Sequence, residues 1–312
     1  MAELRGGTVL GKPVTAIVLT ACAPLLWSTG GVGLRLLDTS AWTILFWRGL
    51  FMAVTVVTWS AISSRGRFFH ELQSSLIHGF WVFIFIGLSF ILYVLSMTST
   101  TIADSLLIQG TAPILIVGLG WIVLGDRVRK ITVVAMIAVT IGILIILVPS
   151  LGRGGFTGNL LGLAKAFTFA AGAIAVRRRR SVGLVPSVAL AAMLTAVIAA
   201  FAAPTLVVDA KSLLVLAYLG IFQVGVAFIL FVNWSGKIET SQTGLLVILE
   251  AVLGPLWVWL LLSERPPQLT LLGGAVIVIA LVAHTLLYPK QVTPVNAAVA
   301  VSPPAPPSRS PK

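Results

Sequence analysis

Residues 102–132, IADSLLIQGTAPILIVGLGWIVLGDRVRKIT, decide the fold, because residues 240–270, TSQTGLLVILEAVLGPLWVWLLLSERPPQLT, repeat their pattern 138 positions later. The two stretches align without a gap. Small or hydroxyl residues open each one and a long apolar run follows. An acid-base pair closes the run, Asp126-Arg127 in the first stretch and Glu264-Arg265 in the second. This alignment indicates an internal duplication.

The composition is typical of a membrane protein. Hydrophobic residues make up 58% of it, charged residues only 10%, and the mean hydropathy is +1.07. A soluble domain carries about 25% charged residues, so this chain cannot cover a globule's surface with polar groups. Its outer surface is therefore expected to face lipid.

Ten apolar runs are each about as long as the roughly 20 residues that a spanning helix needs. We therefore predict an all-α polytopic membrane protein with ten transmembrane helices in two inverted five-helix repeats. The predicted spans are 14–33, 41–61, 79–97, 102–123, 131–149, 159–177, 186–207, 212–232, 241–262 and 269–288. The predicted organisation is a cytoplasmic N-terminus (1–13), a first repeat (14–149), an outer linker (150–158), a second repeat (159–288) and a disordered Pro-rich cytoplasmic tail (289–312).

The placement of Lys and Arg predicts the orientation. With the N-terminus in the cytoplasm, 15 of the 21 Lys and Arg residues fall in cytoplasmic segments, 4 in outer loops and 2 within spans. Positive residues are enriched in cytoplasmic loops of membrane proteins. The bias therefore predicts that both termini lie in the cytoplasm.

An odd number of spans per repeat makes the second repeat enter the membrane from the opposite side. Inverted repeats of this kind are typical of secondary transporters, whose two halves exchange conformations around a site near the middle of the membrane. The duplication therefore favours transport of a small molecule by alternating access.

The order of several motifs resembles the EamA family of the drug/metabolite transporter superfamily. These are TACAPLLWSTGGVGLRLL (20–37), FWRGLFMA (46–53), GTAPILIVGLGWIVLGDRVRK (110–130), TGNLLGLAKAFTFAAGAIAVRRRR (157–180) and LEAVLGPLWVWLLLSERPP (249–267). The chain departs from the family pattern at Asp126, where Glu is commoner, at Ala251, where Pro is frequent, and at Lys165. The resemblance implies export or exchange of small metabolites such as amino acids across the cell inner membrane.

Three ionisable residues lie inside predicted spans, where charge is costly and usually faces a cavity or a partner. Arg48 could contact a substrate carboxylate or act as a gate, or it could snorkel or fix helix packing. Lys165 lies beside a stripe of small residues, and it could bind an anionic group or respond to a proton, or it could reach the interface. Glu250 could couple transport to protons or bind an amine. Alternatively, it is a hydrogen-bonded neutral carboxyl or a partner of Lys165 or Arg48.

Further candidates are polar, aromatic or terminal. Trp27 is deep enough to line a cavity, although most Trp residues near span ends sit at the headgroups. Asp126 and Glu264 are helix ends that could also form gate pairs. Four polar residues could line the pathway or form interhelical hydrogen bonds: Tyr93, Gln109, Gln223 and Asn233.

Other classes have weaker support in the sequence. No P-loop, HExxH or cysteine-histidine cluster occurs, so we predict no cofactor, no metal site and no enzyme activity. Basic clusters at span ends point to topology and anionic lipid rather than nucleic acid. The expected partners are a small-molecule substrate and membrane lipid, with proton coupling as an option and the oligomeric state open. A membrane-embedded enzyme, a channel or a scaffold remain the alternatives.

Overall fold

A computed structural model describes residues 12–64, 66–125, 130–150, 155–178, 184–235 and 240–287. Asp126, most of the predicted N-terminal segment and the predicted disordered tail lie outside the described residues. Within them, nine helical segments are long and apolar enough to cross a bilayer, and Leu246–Leu262 is a shorter apolar helix within the remaining span.

The predicted all-helical fold of ten spans is confirmed. We number the spans 1 to 10 along the chain and use these numbers below. Their helices are Lys12–Ser28 with Gly30–Arg35 (span 1), Ala41–Ser63 (2), Phe80–Ser99 (3), Ile102–Gln109 with Ala112–Leu124 (4), Lys130–Ser150 (5), Phe156–Arg178 (6), Leu184–Ala202 (7), Ala210–Tyr218 with Leu219–Val226 and Ala227–Trp234 (8), Thr240–Leu262 (9) and Gln268–Leu287 (10).

The packing of the spans is symmetric between the repeats. Spans 2 and 7, 4 and 9, and 5 and 10 occupy equivalent positions in their repeats, and the members of each pair pack on each other. The remaining strong contacts come in matched sets: span 3 on 6 with span 1 on 8, span 4 on 6 with span 1 on 9, and span 3 on 7 with span 2 on 8. Almost every strong contact therefore crosses between the repeats, and the interior of the bundle is built by both.

Spans 4 and 9 also end in the same way. Gly125, directly after span 4, has φ 72° and ψ 20°, and Ser263, directly after span 9, has φ 57°. Glycine adopts this left-handed conformation readily, whereas another residue pays about 1 kcal/mol or more for it. The two positions are 138 residues apart, so the duplication that is visible in the sequence is also present in the backbone.

Span 7 and the connection that follows it differ from the predicted elements. Span 7 ends at Ala202 instead of continuing to 207, and Pro204 lies in the connection to span 8. Asp209 caps span 8 by accepting hydrogen bonds from the backbone N–H groups of Lys211 and Ser212 at 3.1 and 3.3 Å. Hydrogen bonds from Ser212 lower the pKa of Asp209 below its usual value, because they favour the charged form.

An additional helix, Phe68–His78, lies between spans 2 and 3, where the sequence predicted only a cytoplasmic connection. Ser75 is buried against the protein, whereas Phe69 and Ile77 are largely exposed. The helix packs on spans 3 and 7. The helix, with 11 residues, is too short to cross a bilayer and lies against the ends of these two spans.

Candidate functional site

Span 1 is interrupted at Thr29, inside the bundle. Its first helix ends at Ser28 and its second begins at Gly30, and Pro24 removes one backbone donor from the first. The interruption leaves the carbonyl of Trp27 available, and Gln223 Nε2 donates to it at 3.1 Å. Broken backbone at this depth is tolerated only where it is buried in protein or lines a cavity. The break and its polar partner therefore mark the centre of the bundle.

Gln223 also reaches a buried charge. Arg48 Nη2 in span 2 donates to Gln223 Oε1 at 3.2 Å, and Arg48 is only 5% exposed. Gln223 lies in Leu219–Val226, a π-helical segment of span 8, and such segments are frequent at functional sites. A Cβ on Gly220 would lie 2.7 Å from the carbonyl oxygen of Arg48, so the missing side chain lets the segment approach the backbone of span 2.

Tyr93 contacts both cations of the centre. The guanidinium carbon of Arg48 is 4.9 Å from the centroid of the Tyr93 ring, and Lys165 Nζ is 5.8 Å from the same centroid. Lys165 Nζ also lies 5.4 Å from the centroid of Phe169. Cations within about 6 Å of a ring face are attracted to it. One aromatic ring of span 3 thus bridges Arg48 from the first repeat and Lys165 from the second.

Glu250 is the acidic residue of the cluster. It is half-buried in span 9 and lies within electrostatic range of Lys165 and Arg48. In the described part of the chain, Glu250 forms no ion pair at contact distance with either cation. Of the alternatives predicted for Glu250, pairing with Lys165 or Arg48 takes the form of an electrostatic interaction without a direct contact in the described residues.

Two polar atoms of this centre are buried without a hydrogen-bond partner, Arg48 Nε and the hydroxyl of Tyr93. The Tyr93 hydroxyl and Gln223 Nε2 both lie over Gly30, where a Cβ would collide with them. An unsatisfied buried polar group costs about 1–3 kcal/mol. A ligand or water that bonds to these atoms would offset that cost.

Gln109 lies beside the centre, at the break in span 4. Its Nε2 donates to Ser105 Oγ, which in turn shares a hydrogen bond of 2.6 Å with Ser96 Oγ. Gln109 Oε1 is buried and without a partner. The next residue, Gly110, packs against Ala251, which follows Glu250 in span 9. Gln109 therefore belongs to the same layer of the membrane as the charged cluster.

The structure separates two candidates from this cluster. The ring of Trp27 packs against Phe228 and Phe231 at 5.9 and 5.2 Å between centroids, so only its backbone carbonyl contacts the polar centre. Asn233 Nδ2 donates to Ile229 O of its own helix at 2.8 Å. Sequence reasoning treated Asn233 and Gln223 alike because nothing in a single sequence reports which face of span 8 meets span 2.

Glu264 meets a partner that the sequence did not indicate. Arg35, at the C-terminal end of span 1, donates to both Glu264 carboxylate oxygens at 3.1 and 3.2 Å and to Thr100 O at 3.3 Å. Each side chain is about one third exposed, 35% for Arg35 and 32% for Glu264. The bidentate pair joins the first repeat to the second.

Two further hydrogen bonds join the repeats at the same end. Thr43 Oγ1 donates to Thr205 O at 2.7 Å, and Trp47 Nε1 donates to Leu206 O at 2.9 Å. Together with the Arg35–Glu264 pair they close the end of the bundle where spans 1 and 9 finish. We call this set of contacts the outer seam, after the side on which the Lys/Arg bias predicts that it lies.

Sequence reasoning missed Asp104, which is 7% exposed and accepts a hydrogen bond from Thr270 Oγ1 in span 10. An acid three residues into an apolar run was the available signal. It was overlooked because Asp104 stands near the predicted start of a span, where charge is unremarkable.

A cavity of about 570 Å³ lies on the outer half of spans 1, 8 and 9. Thr29 Oγ1 and the Tyr218 hydroxyl share a hydrogen bond of 2.9 Å at its wall, and Trp257 also lines it. Leu214 and Leu261 on its rim are 73% and 65% exposed. The cavity is therefore largely apolar in its lining.

Comparison with known proteins supports the fold. One solved crystal structure is similar over 88% of this chain and 97% of its own chain, with a TM-score of 0.62 and 22% sequence identity. At that identity the similarity shows the fold alone. No curated protein sequence matches this chain.

Family membership follows from a second comparison. The family model described as the EamA-like transporter family matches twice, over residues 14–148 and 156–286. The two matches cover most of the chain and correspond to the two halves that the duplicated motif and the paired left-handed residues define. The chain belongs to the EamA-like transporter family.

Proposed function

We propose that this protein is a secondary transporter that exports small metabolites carrying a carboxylate and an amine, such as amino acids and related compounds, by alternating access. The observation that carries the proposal is the charged cluster of Arg48, Tyr93, Lys165, Gln223 and Glu250, to which both repeats contribute. A site shared by two inverted repeats changes its accessible side when the repeats exchange conformations.

The cluster suits a zwitterion. Arg48 has an unpaired Nε next to its bonded Nη2, so it can offer a carboxylate a further donor, and the Tyr93 hydroxyl is also free to donate. Lys165 adds a second positive charge near the same ring. Glu250 can accept hydrogen bonds from a substrate ammonium. A bound zwitterion would thus complete interactions that the protein alone leaves open.

The outer seam supports alternating access. Its contacts join the repeats on one side of the charged cluster, and they are hydrogen bonds and one ion pair, about one third exposed, rather than a large apolar interface. Contacts of this kind contribute little free energy each, so a modest change at the centre can break them. The structure has this side closed, and transport requires a second state in which it is open.

We infer the direction and location from the sequence. Export is what the family resemblance implies, and the bias of 15 positive residues against 4 supports cytoplasmic termini and a cell membrane location. The same bias places the outer seam on the side away from the cytoplasm. Anionic lipid at the cytoplasmic face would interact with the basic clusters there.

Purified protein in sealed liposomes tests the proposal. Liposomes loaded with an unlabelled amino acid should take up the labelled one by exchange, without ATP, for at least one member of a panel of amino acids. Related amines that lack the carboxylate should exchange poorly. Absence of exchange for the whole panel, nucleobases and organic cations, by protein that is folded on size exclusion, would contradict the proposal.

Charge-matched variants connect the activity to the cluster. Arg48→Lys keeps the charge but removes the planar fork, and we expect it to raise the KM for exchange at least tenfold. Glu250→Gln should weaken substrates with an amine more than their deaminated analogues. Lys211→Gln and Glu71→Gln, which change the same types of charge outside the cluster, should leave exchange unchanged. Equal losses of exchange in all four variants would show that the cluster has no specific role in transport.

A further inference from the structure

Asp104 is the most enclosed acidic side chain of the described chain that the transport proposal does not use. It is 7% exposed and lies in the outer part of span 4. Thr270 Oγ1 of span 10 donates to its Oδ1. The side chains of Thr100, Thr101 and Asn159 lie in its hydrogen-bonding surroundings. The carboxyl therefore joins one span of the first repeat to two of the second.

The charged groups around this carboxyl are few. Span 6 presents Asn159, span 10 presents Thr270 and the end of span 3 presents Thr100, all of them neutral. The cation Arg35 donates a hydrogen bond to the backbone of Thr100, which lies next to Asp104, but its guanidinium is paired with the carboxylate of Glu264. Among the described residues, no cation pairs with Asp104. The hydrogen-bond partners of Asp104 are neutral, and a buried carboxylate without an opposite charge costs free energy that a bound proton or cation would remove.

Asn159 provides a possible hydrogen-bond partner for a protonated carboxyl. Asn159 is fully buried, and its Nδ2 has no hydrogen-bond partner although the side chain lies beside Asp104. Its Oδ1 accepts from Thr100 Oγ1 at 2.7 Å. Oxygen and nitrogen of an amide are interchangeable by a half-turn. After that half-turn Oδ1 can accept a hydrogen bond from a neutral Asp104, and Nδ2 can donate one to Thr100 Oγ1, so both polar atoms of the Asn159 amide are paired.

Close backbone packing holds this arrangement in place. A Cβ on Gly158 would lie 2.6 Å from the carbonyl carbon and oxygen of Ser99, and Ser96 Oγ donates to Gly158 O at 2.8 Å. Span 6 is thus pressed against the turn between spans 3 and 4. When the repeats separate at the outer seam, Asp104 must part from Thr270 or Asn159 and meet water from outside.

We propose that Asp104 is a proton-binding site of the outer seam, which is protonated while the seam is closed and releases its proton to the outer water when the seam opens. This inference rests on the proposed transport function and adds to it a control by external pH. Opening is then linked to proton release, so acid outside holds the transporter closed on that side.

Exchange at varied external pH tests the linkage. In liposomes with fixed internal pH, the rate for the wild type should rise as the external medium becomes less acidic. Asp104→Asn mimics the protonated form, so its rate should stay low and flat across the same range. Glu250→Gln is the matched control, and any exchange that it retains should keep the dependence on external pH. An Asp104→Asn profile that follows the wild type would overturn the proposal.

A second variant distinguishes loss of the proton at Asp104 from a folding defect. A change of cation distinguishes a bound proton from a bound sodium ion. Thr270→Val keeps the carboxyl but removes a hydroxyl that favours the charged form, so the midpoint of its profile should move to higher external pH. Thr270→Val tests the proposal if Asp104→Asn does not fold. A rate that follows external sodium at constant pH would assign the site to a sodium ion and overturn the proton.

A measurement without substrate keeps this inference separate from the transport proposal. The apparent Tm of the wild type minus that of Asp104→Asn should fall as pH rises, because stability from a proton bound in the folded state is lost when that proton leaves. A difference that stays constant with pH would contradict the proton site even if exchange is observed. A falling difference without exchange of any substrate would support the proton site and reject the proposed function.

Discussion

Gln223 holds three parts of the molecule together by one amide. It donates to the carbonyl that the break in span 1 leaves free, and it accepts from the buried guanidinium of span 2. A buried donor or acceptor that loses its partner costs about 1–3 kcal/mol, and more when the partner is charged. Gln223 is therefore both a structural residue and part of the proposed binding site.

Replacing Gln223 by leucine should destabilise the protein by about 1–3 kcal/mol and abolish exchange, because Trp27 O and Arg48 Nη2 both lose a partner. Thermal unfolding and liposome exchange would measure the two effects. Asn233→Leu is the matched control, since its amide bonds only to its own helix. Equal effects of the two substitutions would show that the amide's contacts across the bundle do not matter.

Replacing Ser263 by glycine should stabilise the protein by about 1 kcal/mol, because glycine adopts the left-handed conformation at this position without the penalty that serine pays. Scanning fluorimetry of the wild type and the variant would measure it as a rise in apparent Tm. Ser263→Ala retains the Cβ and should give no rise. A rise of equal size in both variants would point to loss of the hydroxyl as the cause.

At the scale of elements, glycines decide how closely the helices approach. The π-helical segment of span 8 lies against span 2 at Gly220, and span 6 lies against the turn after span 3 at Gly158. The sequence predicted where the spans lie, since apolar runs report burial in lipid. It could not predict the π-helical segment or the break in span 1, because both depend on polar partners from other spans.

Gly220→Ala should lower stability by about 1–3 kcal/mol, since its Cβ would meet Phe51 Cβ and the backbone of Arg48 and force spans 2 and 8 apart. Gly118→Ala is the control, because its Cβ would meet only the end of the flexible Met136 side chain at 3.2 Å. Both variants would be compared by thermal unfolding in detergent. A loss for Gly118→Ala as large as for Gly220→Ala would refute steric contact at Gly220 as the cause.

At the scale of the whole molecule, the two repeats meet along most of the strong helix contacts. The duplicated motif and the Lys/Arg bias were sufficient to predict the ten-helix inverted fold, because both act over the full chain. They were not sufficient to predict the partner of Glu264 or the role of Asp104. Arg35 and Thr270, which contact them, are far away in sequence and lie on other spans.

Reversing one charge of the outer seam should open it. Arg35→Glu places like charges opposite Glu264, and a pair that is about one third exposed contributes about 1 kcal/mol at most, so the open fraction should rise about fivefold. The measurement is maleimide labelling from outside of a cysteine introduced at Ala103, which is 5% exposed, with Cys22 replaced by serine.

The reciprocal swap supplies the control for this experiment. Arg35→Glu combined with Glu264→Arg should return the labelling rate to that of the parent, because the pair is restored with its charges exchanged. Arg265→Glu, at the neighbouring exposed position, should leave the rate unchanged. Failure of the swap to restore labelling would show that the pair does not hold the seam closed.

The left-handed residues at Gly125 and Ser263 end equivalent helices on opposite faces of the bilayer. The same backbone termination therefore works whichever face it meets. The fold of one repeat is thus compatible with both directions of insertion, and the sequence predicts the direction from the placement of lysine and arginine. The residues that determine helix packing are then largely distinct from those that determine the direction of insertion. A change in lysine and arginine placement is therefore expected to reorient one copy of a repeat without altering how it packs.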